Sequence, residues 1–214
     1  MRWLLLFLLS FLPAHAAAGA WLREEGTGFA ASSVYATAPF GAETSYTGLY
    51  LEYGLTPNLT FGLDIGRGVT GKNKTVGFVR LPVLGTGRHR VAAELGFGQI
   101  AGERTLRTGL SYGRGLETRW GGGWLAVDAY AEYSLDSRAL DLKADATLGV
   151  SRPSGQKWML QLQAGQAREE ASFLRLVPSM TFELREGWQL ELGLSKALTG
   201  ARENGVKFGM WYDF

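Results

Sequence analysis

Few residues in this 214-residue chain are equipped for covalent chemistry, and the candidates can be taken one by one. There is no cysteine, and the two histidines are His15 and His89. A serine nucleophile needs a base within reach. His89 sits where a strand begins with no serine near it, and reads as a polar residue at an interface. Gly66-Arg67-Gly68-Val69-Thr70-Gly71 fits the G-x-G-x-x-G pattern. That pattern holds a dinucleotide only when a helix follows and points its N-terminus at the pyrophosphate. Here Lys72 to Leu84 reads as loop and then strand, and among 30 glycines the match is expected by chance. No Cys/His or Asp-rich spacing suits a metal ion. The expectation is a protein without enzymatic activity, cofactor or metal.

What remains is a set of charged residues set singly between apolar neighbours. The acids are Glu52, Asp64, Glu94, Asp128, Glu132, Asp141, Asp145, Glu183, Glu191 and Asp213. The bases are Arg80, Arg90, Arg107, Lys143, Arg175 and Lys207. Asp64 shows the rule: Leu63 and Ile65 flank it, and Gly62 and Gly66 lie two positions away. A period of two places such residues on one face of a β-strand and their neighbours on the other. All sixteen fall on polar faces, so the elements that carry them must be strands.

Twelve such segments follow in order: Thr27–Thr37, Thr44–Leu55, Leu59–Gly66, Thr75–Leu84, Arg90–Gly98, Thr105–Gly113, Trp124–Leu135, Ala139–Ser151, Trp158–Ala164, Leu174–Leu184, Trp188–Ser195 and Val206–Phe214. The first is the least regular. Links such as Thr56-Pro57-Asn58 and Glu186-Gly187 have hairpin length and turn chemistry. Arg114 to Gly123 reads as a glycine-rich, less regular connection. Pro82 falls inside the fourth segment and removes a ladder hydrogen bond, so it requires a bulge or the strand end there. No segment has helical periodicity after the first eighteen residues.

Those eighteen are different. Arg2 precedes an apolar run from Trp3 to Pro13, followed by Ala14-His15-Ala16 and Ala17-Ala18. This is the make-up of a secretory signal peptide, with cleavage expected after Ala16 or Ala18. The run is too short to span a bilayer as a helix, which takes about 20 residues. Residues 1–18 are thus assigned to the signal and residues 19–214 to a single barrel domain. An exported chain without cysteine has no disulfide to close its fold. The formal charge of +2 offers no basic field for nucleic acid.

Twelve strands with apolar residues on one face do not fill a soluble barrel, because the enclosed space exceeds what those side chains occupy. With the apolar face outward the problem disappears: lipid meets the apolar set, and the charged set lines a wet interior. Ten residues tilted by about 40° cover roughly 25 Å, the height of the apolar band. Tyr53, Phe61, Tyr112, Trp158, Phe182, Trp188 and Tyr212 gather on the lipid-facing set at the end that holds both termini, as an interfacial girdle. The chain finishes Met210-Trp211-Tyr212-Asp213-Phe214, with an aromatic two residues before a terminal Phe.

Over its whole mature length the sequence resembles the bacterial outer-membrane β-barrel superfamily, without the motif of a particular subfamily. The resemblance implies an all-β, antiparallel, up-and-down transmembrane barrel of about 12 strands with short loops, in the outer membrane and surrounded by its lipid. It also implies that Tyr212 and Phe214 are the signal read by the barrel-assembly machinery. A monomer is expected. Ten inward acids against six bases describe a mildly acidic lumen, suited to a narrow passive channel for small neutral or cationic solutes. The alternative is that the same charges pair across the lumen and plug it, leaving a structural or adapter barrel.

Overall fold

The structure, a computed structural model, describes residues 19–38, 45–68, 73–166, 172–200 and 204–214. Twelve strands are present among them: β1 (Gly28–Thr37), β2 (Ser45–Thr56), β3 (Leu59–Gly68), β4 (Asn73–Thr86), β5 (His89–Ile100), β6 (Glu103–Thr118), β7 (Gly121–Ser134), β8 (Leu140–Ser151), β9 (Lys157–Gln166), β10 (Phe173–Arg185), β11 (Trp188–Thr199) and β12 (Asn204–Asp213). Each pairs antiparallel with its neighbour in sequence. The register between β1 and β12, from Phe29 opposite Asp213 to Thr37 opposite Gly205, closes the sheet into a barrel. Closure leaves no unpaired strand edge, the condition for placing a sheet in hydrocarbon.

The barrel is apolar outside and polar inside. Leu110 and Leu194 are 57% and 61% exposed on the outer surface, whereas Arg80 and Glu191 inside are 0% and 1% exposed. Water would charge heavily for that exterior, at about 25 cal/mol per Å² of apolar surface; lipid does not. The girdle forms at the end holding the termini. Tyr53 lies opposite Phe61, and the Tyr212 ring stacks between Trp188 at 4.4 Å and Phe214 at 5.3 Å.

Several local features differ from, or sharpen, the sequence reading. Residues 114–123 are largely strand rather than connection. Thr118 pairs with Gly121, Leu116 with Gly123 and Gly115 with Trp124, so only Arg119 and Trp120 turn the chain. Glycines erase the alternation of side chains without breaking the backbone ladder, which is why periodicity missed them. At Pro82 the β4–β5 register shifts between Pro82 and Leu84, the bulge that the missing N–H requires. The turn at Ala101-Gly102 has positive φ at both residues, the type I′ geometry that matches strand twist. The glycine motif at 66–71 gives Gly66, Arg67 and Gly68 to β3, and residues 69–71 lie outside the described residues. The turn expected at Pro39-Phe40-Gly41 also lies outside them.

Candidate functional site in the lumen

Inward direction follows from register, and all sixteen charged residues singled out from sequence share the inward set. Their surroundings differ. On the wall from β2 to β8 they form one connected ladder of alternating charge. Arg80 bonds Glu52, Glu94 at 2.7 Å and the Tyr50 hydroxyl at 2.9 Å. Arg107 stands 2.8 Å from Glu94 and 2.6 Å from Asp64. Lys74 bridges Asp64 at 2.6 Å and Glu132 at 3.3 Å, and Lys143 donates to Glu132 at 2.6 Å. Several links skip a strand or two, such as Arg107 on β6 to Asp64 on β3. The ladder therefore fills the concave side of this wall instead of reaching across to the other.

On the far wall Lys207 donates to Glu191 at 2.7 Å, and the Trp211 indole donates to the same carboxylate at 3.1 Å. The remaining members lie nearer the mouths. Arg90 donates to the backbone of Gly87 and His89, and Arg175 covers the Phe173 ring. Glu183 packs against Gly155, and Asp141 lies opposite Glu132. His89 shares a 2.8 Å hydrogen bond with the Tyr112 hydroxyl and is part of the interfacial girdle.

Asp128 and Asp145 stand apart. They face each other directly across β7 and β8, a like-charge cross-strand pair, and no salt bridge joins either one to a cation among the described residues. Asp128 Oδ1 is buried without a hydrogen-bond partner among them.

Sequence reasoning missed four contributors. Lys74 and Lys157 sit at strand starts just beyond the assigned segments, and Arg23 precedes the first strand. With them the bases of the inward set rise from six to nine among the described residues, which offsets most of the excess of acids there. The fourth is the segment 19–27, which folds back into the barrel from the terminal mouth. Arg23 donates to Glu52 at 2.8 Å and reaches Asp213 at 3.5 Å, and its backbone N–H donates to Thr60. Gly26 and Thr27 exchange backbone hydrogen bonds with Gly54. Trp21 packs toward the buried pair Trp124 and Ala126. Nothing in the alternation pattern signals this, because the segment is not a strand.

Large aromatics narrow the lumen further by lying flat on glycines of the adjoining strand. A Cβ on Gly149 would sit 2.1 Å from the Trp124 ring, and one on Gly62 would sit 2.0 Å from Phe78. The glycines are there to admit those rings. Between the ladder and the far wall a cavity of about 340 Å³ remains, lined by Ser33, Tyr46, Asp128, Thr147, Gln161 and Lys207 among others.

Similarity to known proteins lies in the fold. No protein-family model matches the chain, and no curated protein matches it in sequence. Among solved structures it is similar to the KdgM porin in complex with disordered oligogalacturonate. That match has a TM-score of 0.64 and 7% identity over 88% of this chain and 99% of that one. It is similar to the NanC porin, with a TM-score of 0.63 and 10% identity over 86% and 98%. The COG4313 outer membrane channel from Pseudomonas putida F1 matches with a TM-score of 0.54 and 12% identity over 91% and 97%. The chain has the fold of bacterial outer-membrane porins.

Proposed function

We propose that residues 19–214, released by cleavage of the signal, sit in the outer membrane as a monomer and form a narrow passive channel for small neutral or cationic solutes. The observation that carries this reading is the residual cavity: the charge ladder occupies one wall and leaves polar and aromatic space against the other. The porin fold and the lipid-compatible exterior support it. Near balance of inward charge makes selectivity weak, while the Asp128–Asp145 pair gives it a cationic sign. That pair suits a polyanion such as oligogalacturonate, which the KdgM structure holds, poorly. Tyr212 and Phe214 serve as the signal for the barrel-assembly machinery before β12 closes on β1.

The test is conductance of the purified protein in a planar bilayer under a salt gradient. Small unitary steps with a reversal potential on the cation side are expected. A silent bilayer containing folded protein would replace this reading with the plugged barrel. One feature favours that second reading: segment 19–27 and the ladder both occupy lumen cross-section.

A further inference from the structure

Asp128 is one of the lumen acids that no salt bridge joins to a cation among the described residues, and one chain position is placed to supply that charge. Asp128 Oδ1 is buried and unpartnered among the described residues, and Asp145 opposes the same carboxylate. Like charges directly opposite one another destabilise a sheet. The nearby cations are committed elsewhere: Arg80 to Glu52 and Glu94, Lys143 to Glu132, and Lys207 to Glu191.

Against Asp128 lies Gly19, the innermost described residue of the segment that enters from the terminal mouth. A Cβ placed on Gly19 would fall 2.5 Å from Asp128 Oδ1, 2.6 Å from Ser111 Oγ and 3.4 Å from the guanidinium carbon of Arg80, whose own charge is held by Glu52 and Glu94. The Gly19 Cα is thus within about 4 Å of that oxygen, and the nitrogen is one bond further on. Only glycine fits this seat without displacing the carboxylate.

Gly19 is also the residue that cleavage after Ala18 would expose as a new N-terminus. We propose that signal cleavage after Ala18 creates the missing cation: the Gly19 α-ammonium pairs with Asp128 and fixes segment 19–27 as the lumen constriction. The inference rests on the export reading, and is independent of whether the barrel conducts. An α-amine is largely protonated near neutral pH, so a freed Gly19 nitrogen brings a full charge where the peptide N–H had none. Cleavage after Ala16 would leave Ala17-Ala18 ahead of Gly19 and put the ammonium out of register with Asp128.

Two measurements on the folded protein from the outer membrane test this. The intact mass should correspond to residues 19–214. An amine-selective acylating reagent near neutral pH should then modify the α-amine of wild type at least tenfold more slowly than that of Asp128→Asn. Lys196, exposed near the end of β11, should react equally in both and serves as the internal reference. Asp145→Asn removes the repulsion but leaves the pair, and should keep the amine protected. A mature chain with another first residue overturns the processing site and the proposal with it. Residue 19 first, with an α-amine that reacts equally in wild type and Asp128→Asn, overturns the ion pair alone. Should Asp128→Asn lose heat-modifiable migration, a variant processed to start at Ala17 takes its place, with a reactive amine expected and a protected one refuting the proposal.

Discussion

Replacing Arg80 with Met tests whether the ladder is a closed wall or a hydrated one. Arg80 is fully buried and bonds two carboxylates and a hydroxyl. Removing one partner of a buried pair costs about 3–5 kcal/mol, because it strands a charge that has been taken out of water. Here the neighbours are not wholly stranded. Glu52 keeps Arg23 at 2.8 Å and Tyr50 at 2.7 Å, and Glu94 keeps Arg107 at 2.8 Å. The expected loss is therefore at the lower end, about 3 kcal/mol, or roughly a hundredfold in the folding equilibrium. Met retains much of the volume, so the change reports charge more than packing. The assay is reversible urea unfolding in lipid vesicles, followed by tryptophan fluorescence. Adding Glu94→Gln to Arg80→Met should recover part of the loss, since one unpaired charge is then neutralised. A loss below about 1 kcal/mol, the range of exposed pairs, would refute the argument and mean that water reaches the ladder.

Several further outcomes are expected. Asp128→Asn, Asp141→Asn and Asp145→Asn together should move the reversal potential toward anions, and an unchanged potential would remove these acids from the conduction path. Deleting Phe214 should lower the amount of barrel in the outer membrane more than trimming residues 39–41 does, as read by heat-modifiable migration of membrane fractions. Gly149→Leu should force Trp124 from its seat, costing about 1–3 kcal/mol as an overpacking effect, measurable in the same unfolding assay. Asp136, in the turn after β7, has its carboxyl held below the usual range by hydrogen bonds from Arg104. Its small contribution to stability is present above the ordinary aspartate pKa and is lost as pH falls through the lowered one. In Arg104→Gln the Asp136 carboxyl, followed by NMR, should titrate in the ordinary range.

The strands were legible because each has an apolar outer face and a polar inner face, which imposes a strict two-residue period. That contrast singled out the charged residues of one parity and left a bulge or a strand end at Pro82, where the register shift is the bulge. It failed where side chains carry no contrast. Glycines 115 and 121–123 hid strand backbone, and Lys74 and Lys157 lay just past segments whose ends were read from apolar residues. Pairing between charges was out of reach altogether. Arg107 and Asp64 are 43 positions apart and meet only because the barrel curves. Segment 19–27 was invisible for a different reason: its position is fixed by Arg23, Trp21 and Gly19 fitting a lumen that exists only after closure.

That ordering bears on how the barrel shuts. The β1–β12 seam joins the two ends of the chain, and at its foot Gly28 and Phe214 exchange backbone hydrogen bonds of 2.6 and 3.0 Å. Arg23 is bonded to Glu52 on one side of the seam and contacts Asp213 on the other. The entering segment therefore spans the joint like the slider of a zip. Pulled outward from the terminal mouth, it would load its own bonds to Thr60 and Gly54, and then Asp213 and the foot of the seam at Gly28. Force applied to the N-terminus should part the seam first and leave the eleven sequential hairpins paired, whereas force on any external turn should not.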